Sequence, residues 1–422
     1  MSRVPVCIVG AGIVGSASAY VLARAGHPVT LLEALDAPAC GTSFANGSQL
    51  SYSYVEPLAT PATLRKLPGL LFDAGSPLRI KWTGEWSQLA WGLRFLRACT
   101  TAQVERATRA LLALASLSRH ELAAACTADA LDFDHARVGK LVIYQSEAAL
   151  REARRQVEFQ RRFGCEQSVL SAAQCLEREP ALQAYREHVA GGVWTGSEAV
   201  GDARRLSSEL IERVRAMGGE VRLRTRVSGF RMRGPRVVAA QIAGGEELPT
   251  PGAVILANGN DAPAIASGLG LRLPIYPLKG YSVTLAIADA ARAPSVSVTD
   301  LRRKIVYAPL PGLLRIAGFA ELVGHDTRAD PRRIAHLVAC ARETFPEACH
   351  FDADPKPWAG LRPATPTSLP IIGATPCENL LLNAGHGALG FTLAMGSARL
   401  LERRLAGAHD DALAAPFAYA AA

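Results

Sequence analysis

The 422-residue sequence contains no Cys-x-x-Cys pair and no Cys/His cluster at metal-ligand spacing, although nine cysteines are scattered from Cys7 to Cys377. Neither a zinc site nor a disulfide framework is indicated, and free thiols suit a reducing compartment. No apolar run approaches the roughly 20 residues of a membrane span. Arg3 is followed directly by a strand pattern, without the apolar region or cleavage site of a signal peptide, so a cytoplasmic location is expected. Lysine is scarce. There are only six, and the net charge of +8 rests almost wholly on arginine. That mild excess fits anionic partners such as carboxylates, phosphates or an acidic membrane surface, and is too diffuse to argue for nucleic acid. There is no internal repeat and no long low-complexity tract. A hydrophobic fraction of 49% with 20% charged residues is that of a globular protein, and the length suggests two or three domains.

What is present begins at the sixth residue, with VCIVGAGIVGSASAYVLARAGHPVTLLE. Residues 4–9 read as a short buried strand, and from Ile13 to Arg24 apolar residues recur at helical spacing. Three glycines separate the two: Gly10 for the tight turn, Gly12 for close approach of a pyrophosphate, Gly15 for close packing of helix on strand. The first helical amides, at Ile13 and Val14, then face phosphate. A second strand, residues 28–32, ends at Glu33, where a carboxylate can take both hydroxyls of an adenosine ribose. Strand, glycines, helix, the Gly26 turn, strand and acid fall in register, and the reading is a βαβ dinucleotide unit for NAD or FAD rather than NADP.

Later segments bear on which dinucleotide. PGAVILANG, residues 251–259, is another apolar strand ending in a small-residue turn at Ala257 and Gly259. Such a strand, returning far from the first unit, suits a flavoprotein domain assembled from separated segments. RLRTRV, residues 222–227, follows a helix over 204–217 and reads as a strand whose end meets an adenine edge through the backbone of Val227. GLRPATPTSLPIIG, residues 360–373, precedes NLLLNAGHGALGFTLAMGSARLL, residues 379–401. The latter reads as a strand, a glycine-rich turn (Gly385, His386, Gly387, Ala388, Gly390) and a helix. Bare amides at that helix start would stabilise the negative charge a reduced flavin carries at N1 and C2=O.

With the βαβ motif, TSFANGSQLSYSYVEP (residues 42–57), PLKGYS (277–282), GLRPATP and NAGHGALG, the chain resembles the D-amino acid oxidase superfamily of FAD enzymes, nearly end to end. It is most similar to the bacterial D-amino acid dehydrogenase small-subunit family. The resemblance implies FAD. It implies that Thr42, Ser43, Asn46, Gly47 and Gln49 run along the flavin, and that Arg362, with Gly360 beside it, pairs bidentately with a substrate carboxylate. Arginine's planar fork would thereby aim the Cα–H bond at flavin N5. Sarcosine oxidases carry a flavin-linking cysteine near the Arg362 position. None is there, so the FAD is expected to be non-covalent. Tyr281 and Tyr54 are candidates for lining the substrate pocket, and His386 for touching substrate or ring. Lys279 is expected to point away from Tyr281. The family typically reads TPDG after GLRP, whereas this chain reads TPTS over residues 365–368, which leaves the substrate open.

The expected fold is α/β: a discontinuous Rossmann-like FAD-binding domain (1–80, 150–230 and 335–422) plus an α+β substrate domain (81–149 and 231–334) with a mainly antiparallel sheet. Residues 69–97 form an aromatic, basic, amphipathic segment, read either as a helix buried between domains or as a peripheral contact on the inner face of the inner membrane. The expected activity is oxidation of D-amino acids to 2-oxo acids and ammonia by hydride transfer from Cα. Neither the residues nor the resemblance requires a catalytic triad, and none is evident. The electron acceptor would be a quinone or another acceptor. Kept beside this are a D-proline or hydroxy-D-proline dehydrogenase, a glycine/sarcosine-type oxidase, and a flavin subunit needing partner subunits.

Overall fold

In the computed structural model, which describes residues 3–55, 57–65, 78–408 and 412–420, the strand Val6–Val9 is buried along its whole length. It pairs in parallel with Val29–Leu32 on one side and Ala253–Leu256 on the other. Glu220–Arg222 and Leu380–Ala384 extend this sheet in parallel, and Ile371–Ala374 closes it antiparallel, giving six strands. Unbroken apolar strands are what a parallel sheet covered on both faces demands. One face carries the helices Ile13–Arg24, Thr101–Asp129, Ala203–Ala216 and Gly390–Leu405, which pack on one another. The other carries the three-stranded antiparallel sheet Val227–Arg233, Arg236–Ile242 and Glu247–Pro249.

The second sheet has nine strands. Its order runs Lys356–Ala364, Tyr276–Ala286, Leu313–Leu322, Ile305–Leu310, Ser297–Asp300, Lys140–Tyr144, Gly191–Thr195 and Ser168–Ser171, with Leu78–Ile80 beside Leu313–Leu322. It is antiparallel except where Lys140–Tyr144 and Leu78–Ile80 join. The ladder register decides which side chains share a face, because paired residues point the same way and neighbours alternate. Leu278 pairs Arg362, Ser282 pairs Ala317, Ala317 pairs Val306, Val306 pairs Thr299 and Thr299 pairs Val142. One face thus carries Arg362, Gly280, Ser282, Val306, Val142 and Lys140. The opposite face carries Tyr281, Ile316, Tyr307, Val298 and Leu141, buried with Leu337 of the helix Pro331–Thr344.

Several expectations are revised here. Residues 222–227 are not one strand. The first sheet takes Glu220–Arg222, the chain turns with Arg224 at φ +53°, and Val227 begins the three-stranded sheet. The interruption is stitched to the second strand, since Arg224 N–H donates to Leu35 O and Thr225 N–H to Glu33 O. Sheet membership also redraws the domain division. Ala253–Leu256, placed in the range 231–334, belongs to the six-stranded sheet. Ser168–Ser171, Gly191–Thr195 and Lys356–Ala364, placed in the ranges 150–230 and 335–422, belong to the nine-stranded one. Such pairings are non-local and invisible to a reading of composition along the chain. Of the amphipathic stretch 69–97, residues 69–77 lie outside the described ones. The rest comprises the strand Leu78–Ile80 and the helix Trp86–Ala98, which buries Trp91 and leaves Trp86, Leu89, Leu93 and Leu96 exposed.

Candidate active site

A cavity of about 2090 Å³ lies between the two sheets. At one end its wall is the glycine turn. Gly10 has φ +100°, and a β-carbon there would stand 2.8 Å from Asn258 Cα. At Gly15 a β-carbon would stand 1.8 Å from the Gly10 carbonyl oxygen, so helix and strand meet only because it is glycine. Gly12 differs. A β-carbon there meets nothing nearer than Ser43 Oγ at 3.6 Å and faces the cavity. The helix behind it has no side-chain cap at Gly12, and Ile13 N–H donates to Ser43 Oγ (3.1 Å). Val14 lies on the wall beside Ile13. Glu33, nearly buried, accepts from Ala11 N–H (2.6 Å) and Leu35 N–H (2.9 Å), which fixes its carboxylate at the cavity edge with Val227 and Ala257.

A second uncapped helix start faces the same space. Gly385 and Gly387 have φ +80° and +56°, and the helix Gly390–Leu405 begins without a side-chain cap after the turn Gly387–Leu389. The amides that open a helix have no internal partners and carry the positive end of its dipole. His386 is buried in that turn, its Nε2 has no hydrogen-bond partner, and burial pushes its pKa down to about 3. Asn258 Oδ1 and Asn260 Oδ1, also buried on the cavity wall, likewise lack partners. Gly259 sits between them at φ +61°. Two helix starts without an N-cap side chain, an open glycine face and three orphaned polar atoms are what a dinucleotide with a heteroaromatic ring would satisfy. The residues present fit FAD.

The loop expected along the flavin is tied across the cavity to the nine-stranded sheet. Thr42 Oγ1 donates to Leu361 O (2.6 Å), Ser282 Oγ donates to Ala45 O (2.6 Å), and a β-carbon at Gly47 would touch Val306 at 3.4 Å. Asn46 Oδ1 accepts from Ser48 N–H, so this oxygen stabilises its own turn. Ala388 and Gly360 line the cavity.

Arg362 lies on the sheet face that forms the opposite wall. Its guanidinium runs over Gly280, where a β-carbon would come within 2.3 Å of Nη2. Nη1 donates to Phe319 O (2.9 Å). That carbonyl is presented by an irregularity in the ladder between Lys279 and Tyr281, with Phe319 at φ +65°. Among the described residues no carboxylate lies within ion-pair distance of Arg362, and burial lowers its pKa to about 10. A guanidinium has five donors in a fixed fork, and this one stands over backbone on the cavity wall.

Two candidates are placed otherwise than expected. Tyr281 turns its side chain to the far face. Its hydroxyl donates to Glu321 Oε2 (2.8 Å), its ring meets Phe319 edge-on, and burial raises its pKa. Lys279 does not point away from Tyr281. Residues two apart in a strand share a face, and its ammonium lies 5.1 Å from the Tyr281 ring centroid, donating to Arg328 O. Tyr54 does line the cavity, with Lys140 Nζ 4.2 Å from its ring centroid. Gln49 is drawn to the same group: its Oε1 accepts from Lys140 Nζ (3.0 Å) and its Nε2 donates to Ser297 Oγ (2.6 Å). Lys140 and the Phe319 carbonyl are not legible in the sequence as site groups. The one signal for Lys140 is a lysine, rare in this chain, heading the otherwise apolar strand KLVIY.

The family described as DAO, FAD dependent oxidoreductase, matches residues 5–404. A protein named D-amino acid dehydrogenase 2 from Ralstonia nicotianae is 46% identical over 424 residues, covering 98% of this chain and 99% of that one. The D-amino acid dehydrogenase of Dechloromonas aromatica is 40% identical over 409 residues, covering 96% and 98%. Among solved structures, glycine oxidase from Geobacillus kaustophilus superposes with a TM-score of 0.74 at 22% identity, covering 100% of this chain and 99% of that one. L-proline dehydrogenase from P. horikoshii does so with a TM-score of 0.76 at 16% identity, covering 99% and 97%. At those identities the two structures speak for the fold alone.

Proposed function

The chain belongs to the DAO family of FAD-dependent oxidoreductases, and we propose that it is a D-amino acid dehydrogenase that turns a D-amino acid into the 2-oxo acid and ammonia. The observation that carries this reading is Arg362, a half-buried guanidinium over Gly280 with no carboxylate partner among the described residues, on a cavity that fits FAD. FAD, when bound, supplies the hydride acceptor. The protein's part is orientation and electrostatics. Arg362 takes the substrate carboxylate in its fork and so fixes where the Cα–H bond points. The uncapped start of Gly390–Leu405 favours negative charge in the space before it. His386, kept neutral by burial, adds no competing positive charge there. The substrate must present a neutral amine, and water hydrolyses the released imine. The nucleotide end of the cofactor would be held by Gly12, Ile13, Ser43 and Glu33.

The electron acceptor we propose is a quinone reached at a membrane face. Ile80, Trp82, Leu89, Leu93 and Leu96 are exposed, lie along the cavity mouth, and are flanked by Lys81 and Arg97, which are exposed as well. Apolar side chains with basic neighbours, on the helix Trp86–Ala98 and the segment just before it, suit the interface of an anionic bilayer. No described helix is long and apolar enough to cross a membrane.

The test is anaerobic bleaching of the flavin by a panel of D- and L-amino acids, D-proline, cis-4-hydroxy-D-proline, glycine and sarcosine. Rapid bleaching by D-amino acids supports the reading, and slow recovery in air supports dehydrogenase over oxidase. Bleaching only by the cyclic imino acids, or only by glycine and sarcosine, would replace it. Bleaching by none of them would point to a subunit active only with its partners.

A further inference from the structure

Lys140 is a buried lysine, 3% exposed, on the same sheet face as Arg362 and at the other side of the cavity. Its ammonium donates to two neutral oxygens, Gln49 Oε1 and Ser51 Oγ (3.0 Å each), and rests on the face of Tyr54. Among the described residues no carboxylate is within ion-pair distance of it. Glu198 is close enough to act on it through charge but is turned away. Its two oxygens accept from Tyr52 N–H and Ser53 N–H (2.7 Å each), and it lies behind that backbone, off the cavity wall. Lys140, Gln49, Ser51 and Tyr54 are all on the wall. The charged groups further out on this side, Glu152, Arg302 and Lys304, are exposed, so solvent screens them. The buried pair therefore shows the cavity its positive pole.

We propose that Lys140 sets the side-chain selectivity of the site, favouring D-amino acids whose side chains are uncharged or end in oxygen acceptors over those that end in a cation. The inference rests on the reading of Arg362 as the carboxylate anchor. In this proposal the side chain of a substrate held there by its carboxylate occupies the part of the same cavity that Lys140 and Tyr54 bound. A neutral or acceptor-tipped side chain meets donors and a ring, whereas a cationic one meets a like charge less screened than in bulk water, where repulsion disfavours it. Burial depresses the lysine's pKa to about 8, so it stays mainly charged at pH 7.

The holoenzyme decides this without mutation through three carboxylates of one chain length: valerate, glutarate and 5-aminovalerate, titrated against the flavin spectrum. Valerate and glutarate are expected to bind at least about tenfold more tightly than 5-aminovalerate. Equal binding of all three overturns the role of Lys140 while leaving the anchor in place. If none perturbs the flavin, the anchor fails and the inference falls with it. In turnover with an artificial acceptor, wild-type kcat/KM should favour D-glutamine over D-lysine, and Lys140→Met should shrink that ratio by roughly tenfold. Lys140→Gln keeps a donor for Gln49 and Ser51, and should shrink it as well. An unchanged ratio in a flavin-loaded variant refutes the proposal.

Discussion

Arg362 owes its place to an atom that is missing. A methyl group at Gly280 would sit 2.3 Å from Nη2 and lift the guanidinium off its backbone floor. Gly280→Ala is therefore expected to raise KM for D-amino acids while the protein still purifies with flavin, and an unaltered KM would refute the placement. Arg362→Lys keeps charge but not the fork. It should lower kcat/KM by about a hundredfold, equivalent to roughly 3 kcal/mol for the lost charge-assisted bonds, with the flavin spectrum retained. Although burial lowers the Arg362 pKa to about 10, its charge is present below that pH, so the carboxylate contact should persist across neutral pH. His386 works in the opposite region. Its pKa is about 3 folded and near 6.5 unfolded. Between those values the unfolded chain binds the extra proton, so stability is full above about 6.5 and declines as pH falls toward 3. In the FAD-free protein, His386→Asn should flatten that decline, measurable by denaturant unfolding across the window.

Elements divide by whether their logic is local. The first βαβ unit was legible nearly to the residue, because strand, glycines, helix and acid answer to neighbours within thirty positions. Its glycines now make separable predictions. Gly15→Ala drives a β-carbon to 1.8 Å from the Gly10 carbonyl and should prevent folding, seen as loss of soluble protein. At Gly12 a β-carbon meets only Ser43 Oγ within the chain, so Gly12→Val should fold, with native circular dichroism, and purify colourless. The strand read over 222–227 failed because Arg224 and Thr225 bend to bond Leu35 and Glu33, a demand set by chain nearly 200 positions away. The face of Tyr281 could be fixed only once its partners were known. Arg362 was found by resemblance to a motif, whereas the Phe319 carbonyl that steadies it arises from a ladder irregularity with no sequence signature. The TPTS turn is explained in part. Ser368 adopts φ +63°, a conformation that favours glycine, and it stands where the resembling family has one.

For the whole molecule, the exposed face of Trp86–Ala98 and the neighbouring Trp82 make membrane contact measurable. The protein should co-sediment with vesicles containing anionic lipid, less so at high salt. Trp86→Ser with Leu93→Ser should weaken that by about tenfold or more, leaving dye-linked turnover unchanged; equal sedimentation would argue against the face. The six-stranded sheet carries a further consequence, for biosynthesis. Val6–Val9 is flanked by Val29–Leu32, made at once, and by Ala253–Leu256, whose own outer neighbour Leu380–Ala384 and the helix Gly390–Leu405 come last. At ribosomal rates of roughly 5–20 residues per second, the opening strand waits on the order of 20 to 70 seconds for the rest of its sheet. Through that interval the nascent chain carries an apolar strand edge with no partner, and it has no second helix start with which to hold a flavin. The vitamin-derived cofactor should thus load stably only onto a nearly finished polypeptide, and a chain cut short in its final tenth should be a client for chaperones and proteases rather than a weaker enzyme.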